Sequence, residues 1–140
     1  MYSTTNHLLD AIPETGTYHA GIASSVEKIC ANRTRLPSLA LEIFPSAPYK
    51  RTGPITLPPW NNRQLVYLFF KAKFHGYEGV LVLIIQEGAM DALSIQLKRG
   101  AREVKIIEGE AFVVRDNQGF DLGSFESIPS VVAMLDRTLK

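Results

Sequence analysis

The sequence predicts an α+β domain: a central antiparallel sheet of three to four strands flanked by two helices, with a Pro-rich N-terminal arm. Three observations carry this expectation. Seven of the eight prolines fall in the first 59 residues, so the chain changes character near Trp60. Beyond that point, apolar runs of strand length recur between short turn signals, at spacings that suit hairpins. Helix-period apolar stripes then bracket those runs on both sides. The expected organisation is an arm and Pro-rich linker over residues 1–53 and a domain over residues 54–140.

Within the arm, Ser24 or Ser25 can start a short helix to Asn32, with Val26, Ile29 and Cys30 at i, i+3, i+4 spacing. "SLALEIF", Ser38 to Phe44, alternates Leu39, Leu41 and Ile43 as an edge strand does. "PSAPYKRTGPITLPP" cannot continue a helix or donate evenly to a sheet ladder, so it reads as an extended linker, with Trp60 as the anchor joining it to the domain. In the domain, Asn61 or Asn62 can cap a first helix whose Leu65, Leu68, Phe69 and Ala72 share a face, ended by Gly76. Gly79 opens "VLVLIIQ", a strand apolar on both faces and so expected to be central and covered on both sides. "ALSIQLK", "REVKII" and "EAFVVRD" follow as strands at hairpin spacing. Ser127 caps a closing helix with Pro129 in its first turn and Ile128, Val131, Val132, Leu135 and Leu139 in its buried stripe.

At 140 residues and 15.6 kDa, with 46% hydrophobic and 21% charged residues, the chain is a single folded domain's worth of protein rather than a disordered segment. Fifteen Lys and Arg against 14 Asp and Glu leave +1, so no general attraction to nucleic acid or an anionic membrane is expected and any anion site must be local. A lone Cys30 allows no intramolecular disulfide and no cysteine-rich metal cage, which suits a reducing, cytoplasmic setting. The start "MYSTTNHLLDAIPETG" lacks a signal-peptide pattern, and no apolar run reaches the roughly 18 residues of a membrane span.

The order helix, strands, helix and several residues resemble the Src homology 2 family of phosphotyrosine-binding modules. "EGVLVLIIQ" resembles its glycine followed by a Phe-Leu-Val-Arg strand, and "DALSIQ" its Tyr-Ala-Leu-Ser-Val strand. "REVKII" is similar to its Val-Lys-His-Tyr-Lys-Ile strand and "FESIPSVVAML" to its Phe-x-Ser-Leu-x-x-Leu-Val closing helix. The resemblance covers Pro54 to Asp136 and implies an adaptor fold that reads phosphorylated peptides. Two departures bear on that function. The arginine that grips phosphate in the family falls on Ile84, which has no guanidinium to offer, and Glu103 stands nearest the place of its third-strand histidine. The resemblance thus implies phosphotyrosine recognition that is weak or lost.

Candidate binding residues are Arg63 and Lys105, where the family keeps supporting basic residues, and Lys98 and Arg99, which with Arg102 form a basic rim at a turn. Each also fits an ordinary solvated surface cation. "PSAPYK" has the spacing of a polyproline ligand and equally that of a tether. His7, His19 and His75 are dispersed, no catalytic elbow or phosphate-cradling loop occurs, and no catalytic residue, metal site or cofactor is expected. Cys30 reads as a buried inert thiol. The expectation is a non-enzymatic protein–protein interaction module with a protein or peptide partner, and no nucleic-acid or membrane partner. The alternative is a small self-assembling scaffold whose arm "SLALEIFPSAPYK" adds to a neighbour's sheet.

Overall fold

His75 and Gly76 both adopt positive φ, +50° and +82°, and Phe74 pairs with Tyr77 across them, which makes a two-residue hairpin turn of the primed kind. The turn sits where a helix end was expected, and it organises the molecule. The computed structural model describes residues 11–56, 63–86 and 89–140, with side chains described at 11–53, 68–71, 73–84 and 93–140. Among the described residues the order is β1 (Thr15–Thr17), α1 (Ala20–Ile29), α2 (Leu36–Ile43), β2 (Pro48–Thr56), β3 (Arg63–Phe74), β4 (Tyr77–Gln86), β5 (Ala89–Arg99), β6 (Arg102–Glu108), β7 (Phe112–Asp116), β8 (Asp121–Phe125) and α3 (Ile128–Thr138). All eight strands form one sheet in chain order, antiparallel throughout.

A sheet of three to four strands flanked by two helices is thus corrected to an eight-stranded meander with three helices among the described residues. Three local misreadings account for much of it, and β1 and β8 are strands the sequence reading did not include. The expected first helix is β3, because its aromatic and branched residues favour extended backbone and Leu68 and Phe70 point inward while Phe69, Lys71 and Lys73 point out. Its expected caps Asn61 and Asn62, and Trp60, lie outside the described residues. The expected edge strand "SLALEIF" is α2: Leu36, Leu39, Ala40 and Ile43 bury one helical face, and Pro37 occupies the first turn. The expected linker supplies β2. Pro48 opens that strand and Pro54 falls in the register shift between Thr52 and Ile55, the two places where a missing N–H is tolerated.

The expected domain boundary at residues 53 and 54 falls inside β2, and Ile12, Tyr18, Leu39 and Tyr49 share one hydrophobic core with Ile95, Phe112 and Leu135. That core lies between the helices and one face of the sheet. Gly79 is required there: a Cβ would come within 2.0 Å of the Phe44 ring, which stacks on Phe70 at 4.5 Å between centroids. Tyr18 meets Phe70 edge-on and donates its buried hydroxyl to the Pro37 carbonyl at 2.7 Å. Burial, with Glu27 adding to it, pushes the Tyr18 phenol far above its ordinary value.

The helix caps are specific. His19, rather than Ser24 or Ser25, caps α1, its Nδ1 accepting from Gly21 N at 3.0 Å. Glu108, distant in sequence, caps α2 by accepting from Thr34 Oγ1, Arg35 N and Arg35 Nε at 2.8, 2.6 and 2.7 Å. Ser127 caps α3 as the sequence predicts.

Strand β4 is fourth of eight, so it is central. Its inward residues Leu81 and Leu83 are buried, and on the outer face Val82 is buried while Val80 and Ile84 are half-buried. Among the described outward positions, cover is therefore complete at Val82 alone. Phe69, Val80, Gln96, Lys105 and Arg115 follow one another by register in a row across this outer face.

Candidate functional site at two adjacent hairpin turns

Because Glu78 pairs with Lys98, the β3–β4 turn at His75–Gly76 and the β5–β6 turn at Gly100–Ala101 lie side by side at one end of the sheet. Between them is an open depression of about 400 Å³, lined by Lys73, Gly76, Glu78, Lys98, Arg99 and Gly100. Three cations and one carboxylate thus share a small concave surface. Lys73 Nζ lies 3.9 Å from Glu78 Oε1, and both side chains are well exposed, so this contact neutralises little.

Arg99 is the fixed member. Its guanidinium lies 4.5 Å over the Tyr77 ring, and Nη1 donates to the His75 carbonyl at 2.9 Å. Arg102 approaches the same ring at 5.9 Å. Gly76 permits this arrangement, because a Cβ there would meet Arg99 Cδ at 3.2 Å and its φ of +82° disfavours other residues. A guanidinium held flat on a ring loses less freedom when it binds, so Arg99 is pre-organised toward a carboxylate or phosphate. On the other side of the turn, His75 Nε2 and Asp136 Oδ1 are 2.8 Å apart, tying the hairpin to α3.

The four residues proposed from sequence fall in three places. Lys98 and Arg99 both line the depression. Lys105 is exposed on the outer face opposite Gln96, two register positions from the Lys98–Glu103 pair. Arg63 is not in a helix. It opens β3 opposite Gln86, eight positions along β4 from Glu78, which is about 26 Å of strand. It therefore stands at the other end of the sheet, and its side chain is outside the described residues. Lys73 and Glu78 were not anticipated. The signal for them was the His-Gly pair, since His and Gly both tolerate positive φ better than most residues.

Other charged or reactive groups are structural. Arg35 spans Glu108, the Glu126 carbonyl at 2.6 Å and the Phe112 ring at 4.4 Å, which clamps α2 to the sheet. Cys30 is buried and, through desolvation and then Glu27, has its thiol pushed up to about 12. Among the described residues no group of three or more His, Cys, Asp or Glu could hold a metal ion, and no helix is long and apolar enough to cross a membrane. Comparison with protein-family models, with curated proteins and with solved structures finds no match for the chain.

Proposed function

We propose that the chain is a non-enzymatic protein-interaction module that receives an acidic segment of its partner at the paired hairpin turns. The observation that carries this reading is the depression in which Arg99, fixed by Tyr77 and the His75 carbonyl, stands beside Lys73 and Lys98. The guanidinium would take a carboxylate, and the two lysines would set approach and orientation. Phosphotyrosine is a poor ligand in this reading, because Ile84 lies half-buried on the outer face of β4 and offers no donor. Phosphotyrosine peptides should then bind no tighter than about millimolar, roughly −4 kcal/mol.

The test is a nuclear magnetic resonance titration of the labelled full chain with three peptides: a glutamate-rich one, its lysine-rich counterpart and a phosphotyrosine one. Amide shifts should move first at Gly76, Lys98, Arg99 and Gly100 with the glutamate-rich peptide alone, weaken with salt, and fall about tenfold in Lys98→Glu. Equal response to the lysine-rich peptide, or shifts confined to another surface, would refute the reading.

A further inference from the structure

We propose that the groove between α2 and α3 is a second docking site, independent of the hairpin turns, for an amphipathic segment of another protein carrying two apolar side chains beside a lysine or arginine. Helix α3 buries Val131, Met134 and Leu135 in the core. Its neighbouring stripe is apolar as well: Ile128 and Val132 are half-buried and pack partly against the core, while Pro129 and Ala133 are exposed where a helix that only met water would be polar. These four residues line an open groove of about 490 Å³ together with Glu42 from the end of α2 and Asp136 from α3. The floor is apolar, and both charged groups in the lining are carboxylates.

That charge pattern selects the occupant. Glu42 is exposed and makes no hydrogen bond or ion pair with a described residue. Asp136 meets His75 through Oδ1 only, which leaves Oδ2 for an incoming donor. From Pro129 to Asp136 the helix rises about 10 Å, which accommodates two apolar side chains at i, i+4 spacing followed by one cation. This is the helix-in-groove mode of recognition. An acidic segment, suited to the hairpin turns, would be repelled here.

Three short synthetic amphipathic peptides, identical except for Lys, Gln or Glu beside the second of two leucines, test the proposal by fluorescence anisotropy against the full chain. Affinity should fall in the order Lys, Gln, Glu by about three- to fivefold per step, the range of exposed charge pairs. Glu42→Lys should flatten the order, because Asp136 then faces a cation and the lining carries no net charge. Ala133→Arg, on an exposed helical position, should weaken all three peptides at least tenfold with an unchanged melting temperature, whereas Lys98→Glu should leave them unaffected. Equal affinities for the three peptides, no detectable binding of any, or indifference to Ala133→Arg would overturn the proposal. Concentration-dependent dimerisation in sedimentation, lost in Ala133→Arg, would assign the groove to a second copy of the chain and overturn it as well.

Discussion

The two faces of the sheet follow opposite rules although they share every strand. On the face toward the helices, Ile95, Leu97, Ile106 and Val114 are 0% exposed, and Glu108, a charged group that reaches it, is held by three donors. On the outer face, Phe69 is 45% exposed and is followed across the strands by Val80, Gln96, Lys105 and Arg115. The period-2 geometry of a strand separates these populations residue by residue. The inner face therefore carries the stability. The cations of the hairpin-turn depression sit at the sheet's end, where a partner can reach them without disturbing the core.

The sharpest way to break this comparison uses two adjacent residues of β5. Ile95→Asp would bury a carboxylate with no partner beside Leu81 and Ile106, its cross-strand neighbours, at a cost of several kcal/mol, and the chain should fail to fold. Gln96→Asp, one position along and facing the other way, should change stability by no more than about 1 kcal/mol. Urea denaturation of the two variants measures the difference. Similar behaviour of the pair would mean that the two faces are not distinct in energy.

The same division explains what could be read in advance. Strands β4 to β7 and helix α3 were legible because Gly100 and Gly109 punctuate them and each run keeps one period. In β3, the nearly continuous apolar run from Leu65 to Phe70 satisfies a helical period and a strand period at once, so only pairing with β2 and β4 decides. Pro48 and Pro54 argued against a strand until the register shift in β2 gave Pro54 a place without a ladder bond. β8 was hidden by Asp121, Gly123 and Ser124, polar and glycine residues that suit an edge strand with an irregular register. The site inherited these errors. Lys98 and Arg99 were legible at a glycine turn, while the helical reading of β3 concealed Lys73 and misplaced Arg63.

A second test concerns the inner face alone and should show its smaller, pH-dependent contribution. Cys30 ionises near its ordinary value of 9 in the unfolded chain but only near about 12 when folded, chiefly through desolvation and then through Glu27. Between those values the folded chain binds the extra proton, so the thiol's contribution is complete below pH 9 and is lost as pH rises toward 12. The loss reaches at most about 4 kcal/mol at the top of that window, from three pKa units. Tyr18 acts in the same direction above its ordinary value of 10. Urea midpoints measured from pH 8 to 11 should fall, and Cys30→Ala should flatten the slope. A slope identical in the variant would show that the thiol is not buried as a neutral group. At pH 8, a thiol reagent should modify native Cys30 only at the rate at which the structure opens.

The smallest expected effect lies on the outer face and has the opposite sign. Lys105 stands directly across from Arg115 in the β6–β7 pair, and like charges so placed repel, although Arg115 Nε also meets Asp121 Oδ1 at 2.9 Å. Lys105→Glu would replace that repulsion with attraction and should raise stability by about 0.2–1 kcal/mol. Both side chains are exposed, so the gain belongs at the lower end of that range and should shrink further in high salt. The same substitution places a negative charge two register positions from Lys98, toward the site proposed for an acidic partner. It should therefore weaken the glutamate-rich peptide by a few-fold while the protein itself becomes slightly more stable. Denaturation and peptide titration on the one variant measure both signs. A chain that loses stability and keeps its affinity would reverse the division of labour drawn between the faces, because Lys105 would then serve the fold rather than the partner.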